Sequence, residues 1–479
     1  MCSIIPNENL LPLAVRKRLL AALRRIEATP LAVTGEAEQI QVNPALKMID
    51  VPLAGSGSNG GPGAKDMYLV WRAPVDGAVR AQLAGPGDLL ALKIVLEEIS
   101  AEAAAREAGV PVGRIDAYLL AAAAKGLLIM PQSRLRRPAS WLPAPGGGEE
   151  QLVAKVFTLQ WHITQECDLH CRHCYDRSSQ RAFKLRAGLD LLDDLHRFCA
   201  ERFVRGQVSL SGGNPLLHPE FMAFYRGAVD RGLTTAILGN PAPRELLAEI
   251  VAIQPPAYFQ VSLEGLEQHN DHIRGAGHFR RTLAFLDLLR DMGVSSEVML
   301  TLTRDNLADV LPLGNILRDK TDAFSFNRLA LFGEGADLAL PEQEVYDAFL
   351  ADYVAAMADN PVFALKDNLL NGLLARQGRE LFSGCAGFGC GAAFNFMAVL
   401  ANGEVHACRK YPSPVGSVHE HSLAELYDSP AAERYRSRSR ACRGCALQTV
   451  CGGCPAVTAG KGLDPLTDRD PLCFSHVAK

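Results

Sequence analysis

Residues 157–174, FTLQWHITQECDLHCRHC, join a strand-like run to three cysteines crowded into eight positions. Phe157–Thr164 alternates bulky apolar with polar residues, the period-two pattern of a strand. Cys167, Cys171 and Cys174 follow with the spacing C-x3-C-x2-C. Three thiols are one ligand short of a structural zinc site, for which His162, His170 or His173 could supply the fourth. They are also one short of the irons in a four-iron cluster, which would leave one iron open to an exogenous molecule. A loop just after a parallel strand is where α/β folds keep their active sites.

Downstream the alternation of strand and helix continues. GQVSLSG (206–212), TTAILGN (234–240), AYFQVSLEG (257–265), SEVMLTLT (296–303) and DAFSFNRL (322–329) read as further strands. Amphipathic helical stretches such as 187–204 and 279–293 separate them. Six strand–helix repeats predict an α/β chain whose parallel sheet, over 153–337, curls into part of a barrel. A mostly helical stretch, 338–382, leads on to a cysteine-rich region, 383–479.

The whole chain has 479 residues, 48% of them hydrophobic and 21% charged, enough for two to four domains with sizeable cores. A net charge of −4 gives no electrostatic case for nucleic acid or membrane as the main partner. The opening MCSIIPNENLLPLAVRKR has no basic region followed by a long apolar core, and no apolar run is long enough to span a bilayer. A cytoplasmic enzyme is therefore expected. Of the 13 cysteines, eight fall in 385–473 and none between Cys2 and Cys167. In a large chain without a signal, such clustered pairs read as metal or iron–sulfur ligands rather than disulfides.

Before the barrel, residues 1–65 read as a helical extension, with an amphipathic helix over 10–29 and a glycine-rich loop over 55–63. Residues 66–133 hold two strands (66–73 and 77–84) and three helices, with Ser100 as an N-cap and Gly126 as a terminator. That order describes a winged helix-turn-helix. Between Leu92 and Leu127 it carries four basic residues against five acidic ones, a net −1, which suits docking of a protein or peptide better than of a phosphate backbone. A Pro/Gly-rich linker, 134–152, follows.

Beside the cysteine motif stand SGGNP (211–215) after the second barrel strand, VSLEG at the end of the fourth, and HNDHIRG (269–275). Together these residues resemble the radical S-adenosylmethionine superfamily. The resemblance implies a [4Fe–4S] cluster on Cys167, Cys171 and Cys174. Its open iron would chelate S-adenosylmethionine, whose reductive cleavage gives a 5′-deoxyadenosyl radical. Carried over by position, Gly212, Gly213 and Pro215 would line the methionine end. Ser262 and Glu264 would face the ribose and Arg274 the carboxylate, with His173 and Tyr175 near the adenine. Asn214 departs from the pattern, since the family has Glu there; its amide oxygen can still accept from the ammonium group, without the charge assistance.

The C-terminal cysteines run Cys385-x4-Cys390, Cys408, then Cys442-x2-Cys445-x5-Cys451-x2-Cys454, and Cys473. A zinc ribbon is the plainer reading of the C-x2-C pairs. The spacing resembles the SPASM domain, except that CGGC (451–454) has two residues where the family has three. By that resemblance Cys385, Cys390, Cys408 and Cys454 would hold one auxiliary [4Fe–4S] cluster. Cys442, Cys445, Cys451 and Cys473 would hold a second, making three clusters in all. Cys2 and Cys199 are left over, the latter packed in a helix.

The expected architecture is thus a partial (β/α)6 TIM barrel with an N-terminal winged-helix domain and a C-terminal SPASM domain. In such company residues 66–133 resemble the precursor-recognition element of ribosomal peptide maturases, which takes a leader peptide as an added strand. Residues 390–417 and 211–221 resemble the selenobiotic-family (thio/selenooxazole) subgroup. The implied activity is radical modification of a ribosomally made peptide, with a cysteine-derived thioether or heterocycle favoured over a carbon–carbon crosslink or epimerisation. A flavodoxin or ferredoxin would supply electrons. Arg409 stands where the sulfatase-maturing branch has Asp, which argues against formylglycine formation. Glu264, His269, His272 and Arg409 are candidate cavity residues, Glu264 and Arg409 the leading catalytic ones. The non-enzyme alternative is an iron–sulfur-dependent winged-helix regulator.

Overall fold

The computed structural model describes residues 21–22, 25–26, 38–52, 65–141, 151–175 and 181–474. The chain divides into two compact units, one reaching to Gln132 and the other formed by Ser133–Val229 and Leu233 onward.

In the first unit β1 (Gln41–Val42) is followed by a meander of β2 (Lys47–Pro52), β3 (Lys65–Arg72) and β4 (Val79–Leu83). Helices α1 (Pro86–Leu96), α2 (Ala101–Ala108) and α3 (Val112–Lys125) come next, and β5 (Leu128–Ile129) returns to pair antiparallel with β1. The Ser100 hydroxyl accepts from the Ala103 N–H at 3.1 Å, and Gly126 ends α3 at φ 83°. Leu69, Trp71, Ile115, Leu119 and Ala122 pack into one buried core. Three helices with capping at the expected positions agree with the sequence. The sheet differs from the expectation: β1 and β2 come from within 1–65, the segment read as a helical extension, so a boundary at residue 66 cuts the meander. Short strands such as KMIDVP gain stability from cross-strand pairs, here Met48 opposite Leu69, and their own pattern is weak. The loop expected over 55–63 lies outside the described residues, as does most of the helix expected over 10–29.

The second unit repeats strand and helix: β6 (Val156–Thr164), α4 (Leu185–Arg202), β7 (Arg205–Gly212), α5 (Phe221–Asp230), β8 (Thr234–Leu238), α6 (Arg244–Ile253) and β9 (Phe259–Ser262). It continues with α7 (Glu267–Arg274), α8 (His278–Asp291), β10 (Ser296–Leu302), α9 (Val310–Leu317) and β11 (Ala323–Arg328). β6 to β11 lie side by side in chain order and are all parallel, an open partial barrel. Phe157, Leu159, Trp161 and Ile163 on one face of β6 are fully buried, each worth about 1.5–3 kcal/mol of apolar burial. The alternate residues Gln160, Gln260, Ser262, Glu297, Thr301 and Asn327 keep partial exposure, so the opposite face of the sheet is polar.

After α10 (Gln343–Ala356) and α11 (Leu370–Arg376), the cysteine-rich region does not form a sheet of its own. Its β12 (Phe396–Val399) pairs parallel with β6, and β13 (Glu404–His406) and β14 (Pro414–Ser417) add antiparallel, extending the barrel sheet to nine strands among the described residues. Helices α12 (Leu423–Asp428), α13 (Pro430–Arg436) and α14 (Pro455–Gly460) complete it. A buried triad ties this region to the barrel. Arg328, at the end of β11, donates to Asp367 at 2.7 Å and to both oxygens of Asp470 at 2.8 Å.

Candidate active site

The cysteine loop is seated by the end of β7. A Cβ on Gly212, which has φ 139°, would lie 2.0 Å from the Thr164 carbonyl oxygen, and one on Gly213 2.2 Å from that of Glu166. Only glycine permits this closeness. The Gly213 and Asn214 N–H groups use it to donate to Thr164 and Glu166 at 2.9 and 2.7 Å. The sequence suggested that the glycines admit a ligand; the close approach seen here is to the backbone of the cysteine loop.

Asp168, next to Cys167, is held by two asparagines. The Asn214 and Asn240 amides both donate to its Oδ1, at 3.0 and 2.6 Å, and Asn240 Nδ2 lies 3.8 Å from Cys167 Sγ. Each asparagine belongs to a Gly-Asn-Pro triplet, 213–215 and 239–241, at the ends of the neighbouring strands β7 and β8. Asp168 and Asn240 are functional candidates that sequence reasoning missed, and the repeated triplet was the signal. The carboxylate absent at 214 stands at 168, beside the Asn214 amide. Asp168→Ala removes the shared acceptor and is expected to weaken S-adenosylmethionine binding about tenfold or more, since a hydrogen bond to a charged group is worth roughly 1.5–3 kcal/mol. Equilibrium dialysis with the reconstituted protein measures it, and unchanged affinity would count against a role for this carboxylate.

Glu264 is 1% exposed and fully engaged. Its Oε1 accepts from Arg274 Nε and Nη2 at 2.9 and 2.6 Å and lies 3.2 Å from His173 Nε2; its Oε2 accepts the Thr301 N–H at 2.8 Å. Burial alone would raise its pKa, but His173 and Arg274 outweigh burial and hold the carboxyl well below the usual range. A carboxylate clamped in this way is a poor proton acceptor, so the geometry favours positioning over base catalysis for Glu264. Arg274 Nη1 in turn reaches to 3.7 Å from Cys171 Sγ. Ser262 lies on the polar face of β9, and the Tyr175 ring stands 6.4 Å from that of His162. Of the two α7 histidines, His269 is half-buried and His272 exposed.

Arg409, on the loop after β13, reaches the barrel: its Nη1 donates to Ser211 Oγ at 3.0 Å, one residue before the glycine pair. Tyr258 bonds Ser209 and feels Glu297, Lys366 and Arg409 nearby; burial and Glu297 raise its pKa. Burial likewise raises that of Glu297, against Lys366. The polar face of the sheet thus gathers both signs of charge below the cysteine loop.

In the C-terminal field, no three His, Cys, Asp or Glu side chains among the described residues close to the spacing of a single ion. The thiols gather more loosely. Burial pushes Cys408 up to about 12, with Cys390 and Cys454 adding to the rise, while Lys410 opposes it. Burial pushes Cys442 up to about 11, with Cys473 and Cys445 adding. Cys451, also raised to about 12 by burial, has Cys473 beside it. Cys390 has Cys454 and Cys385 as neighbours. Thiols this reluctant to ionise give up protons when a metal centre compensates. Both glycines of CGGC seat polar side chains: a Cβ on Gly452 would lie 2.7 Å from Arg438 Cδ, and one on Gly453 2.8 Å from Asp470 Cβ. Asp470 also accepts the Cys454 N–H at 2.8 Å. Cys199 is buried in α4 and raised to about 12 by burial alone, as a packed thiol should be.

The donor chemistry suits iron–sulfur centres. N–H groups aimed at Cys167 and Cys171 stabilise anionic sulfur, and the later cysteines are neighbours within two sets.

Comparison with known proteins agrees. Residues 161–313 match the radical SAM superfamily and residues 390–455 the iron–sulfur cluster-binding SPASM domain. A mycofactocin maturase of Mycobacterium ulcerans is 27% identical over 66% of this chain and 87% of its own. An AdoMet-dependent heme synthase of Methanosarcina barkeri is 24% identical over 67% of this chain and 97% of its own. The solved structure of Streptococcus suis SuiB bound to precursor peptide SuiA superposes with a TM-score of 0.56 at 16% identity, over 85% of this chain and 96% of that one. No described helix is long and apolar enough to cross a membrane.

Proposed function

We propose that this radical SAM enzyme, whose cofactors are S-adenosylmethionine and [4Fe–4S] clusters, modifies a ribosomally made precursor peptide in the cytoplasm by closing a cysteine-derived thioether or heterocycle. The observation that carries the peptide reading is the first unit, a three-stranded antiparallel meander followed by three helices, whose sheet has two unpaired edges among the described residues, each open to an added strand. The leader would pair with β2 or β4, a winged-helix mode of recognition. A tetrapyrrole substrate would need no such module, although a heme synthase stands among the relatives. Carbon–carbon crosslinking and epimerisation are alternatives within the same machinery. Membership of the thio/selenooxazole subgroup and a flavodoxin or ferredoxin as electron donor complete the proposal.

Cys167, Cys171 and Cys174 would hold the cluster that binds S-adenosylmethionine. When bound and reduced, it supplies a 5′-deoxyadenosyl radical that abstracts a substrate hydrogen. Asp168, oriented by Asn214 and Asn240, would accept from the ammonium group. The Glu264–Arg274–His173 clasp fixes α7 and the cysteine loop against each other. Cys385, Cys390, Cys408 and Cys454 would ligate one auxiliary cluster, and Cys442, Cys445, Cys451 and Cys473 the other. Arg409 would orient the peptide over the polar face of the sheet.

Co-expression with each short open reading frame found beside the gene, followed by mass spectrometry, tests the reading. Loss of two hydrogens per site fits a linkage, whereas an unchanged mass with deuterium uptake from heavy water fits epimerisation. If no peptide is altered and a porphyrin is, the peptide reading fails. Arg409→Met is expected to lower product formation ten- to hundredfold, about the worth of a charge-assisted hydrogen bond, with S-adenosylmethionine cleavage retained. Parallel loss of both would place Arg409 with the cofactor instead.

A further inference from the structure

Arg137 and Arg438 are 1% and 4% exposed, and among the described residues neither meets a carboxylate. Their guanidinium groups converge on the same backbone oxygens. Arg137 donates to the Phe388 and Cys390 carbonyls at 2.5 and 2.8 Å. Arg438 donates to Phe388, to Cys390 at 3.0 Å, and to Gln448. Two buried like charges without an anion are strongly destabilising. The fold treats Arg328 differently, giving it two carboxylates.

The backbone is shaped to keep Arg438 in place. It adopts φ 57°, a left-handed conformation rare for a non-glycine residue. A Cβ on Gly389 would lie 2.7 Å from its Nη2, so Gly389 and Gly452 both leave room for the guanidinium. Residues of both cysteine sets flank it: Arg438 donates to the Cys390 carbonyl of one set, and Gly452, beside Cys451 of the other, lies against its side chain. The two sets touch at this point, where the Cys390 N–H donates to the Cys451 carbonyl at 3.0 Å.

We propose that Arg137 and Arg438 are the counter-charge of the two auxiliary clusters, and that Arg438, set at their junction, holds their reduction potentials up. This rests on the assignment of four cysteines to each cluster. A [4Fe–4S] centre with four thiolates carries about −2 and gains a further negative charge on reduction, so a fixed neighbouring cation favours the reduced form. Arg438 is a tuning residue in this account and needs no contact with substrate.

The test uses full-length protein with Cys167, Cys171 and Cys174 changed to alanine, so that the auxiliary clusters alone give a signal. Its reduction is followed by electron paramagnetic resonance at controlled potentials, with Arg438→Gln and Arg438→Lys added. Arg438→Gln is expected to keep about eight irons per chain. It should shift at least one auxiliary potential negative by a tenfold change in the reduced-to-oxidised ratio, ~59 mV for a one-electron couple. Arg438→Lys should remain near the parent. A fully loaded Arg438→Gln protein with parental potentials overturns the proposal. If Arg438→Gln fails to load iron, Arg438→Lys decides: parental iron and potentials support a role for charge, and loss of iron there as well overturns it. A parent protein that binds no iron overturns the cluster assignment itself, a result distinguishable from both.

Discussion

Cys171→Ala is expected to abolish 5′-deoxyadenosine formation while leaving most of the iron in place. The C-x3-C-x2-C loop supplies only three thiols, so removing one leaves a four-iron centre with two protein ligands and no defined seat for S-adenosylmethionine. The eight C-terminal cysteines lie on other elements and keep their neighbours. Reconstituted protein should therefore fall from about twelve irons per chain to about eight. Chromatography of the reduced reaction mixture reads the nucleoside, and colorimetric analysis reads the iron. Continued nucleoside formation would show that the chemistry is housed elsewhere, and a fall to near zero iron would show that the three centres assemble as one. The same variant separates the enzyme reading from the regulator reading, because a regulator's cluster has no need of an open iron.

The second large effect concerns Arg328. It is fully buried, and its charge is met by Asp367 and Asp470 from two later segments. Burial opposes its protonation, but the two carboxylates prevail and its pKa rises well above the usual value. Arg328→Met would leave two buried carboxylates facing each other without a cation. Breaking a buried pair on one side costs about 3–5 kcal/mol, and here two partners are stranded. The midpoint of urea unfolding should fall accordingly. Since Asp470 also accepts the Cys454 N–H, iron at the first auxiliary set should fall as well. Adding Asp367→Asn to Arg328→Met should recover part of the loss; if it recovers none, the repulsion argument is wrong.

The barrel was legible because each strand carries its own alternation and each helix its own amphipathic stripe. The C-x3-C-x2-C motif was legible because its spacing is local in sequence, whereas the sorting of the later cysteines into two sets came from the family resemblance. What escaped reading depends on distant partners. β2 is recognised as a strand only against β3, and β12 only against β6, some 240 residues away in the chain. Asp168 and Asn240 become a site only when β7 and β8 lie side by side. Glu264 reads as an open cavity carboxylate until α7 brings Arg274 to it. Arg438 is one more basic residue in a run of them until the fold removes it from water and withholds a carboxylate.

The pairing of β12 with β6 also bears on how the protein comes off the ribosome. β6 would be the outer strand of an open barrel, and it carries the loop with the first three cysteines. Its free edge is covered only once residues 396–399 have been made. Until then a nascent chain with a largely formed barrel exposes an unpaired, apolar-backed strand, the kind of edge that recruits other chains. Synthesis of the cysteine-rich region thus closes the sheet at the strand that leads into the first three cysteines. A chain truncated before the C-terminal cysteines would lose the cover on that strand together with its auxiliary centres.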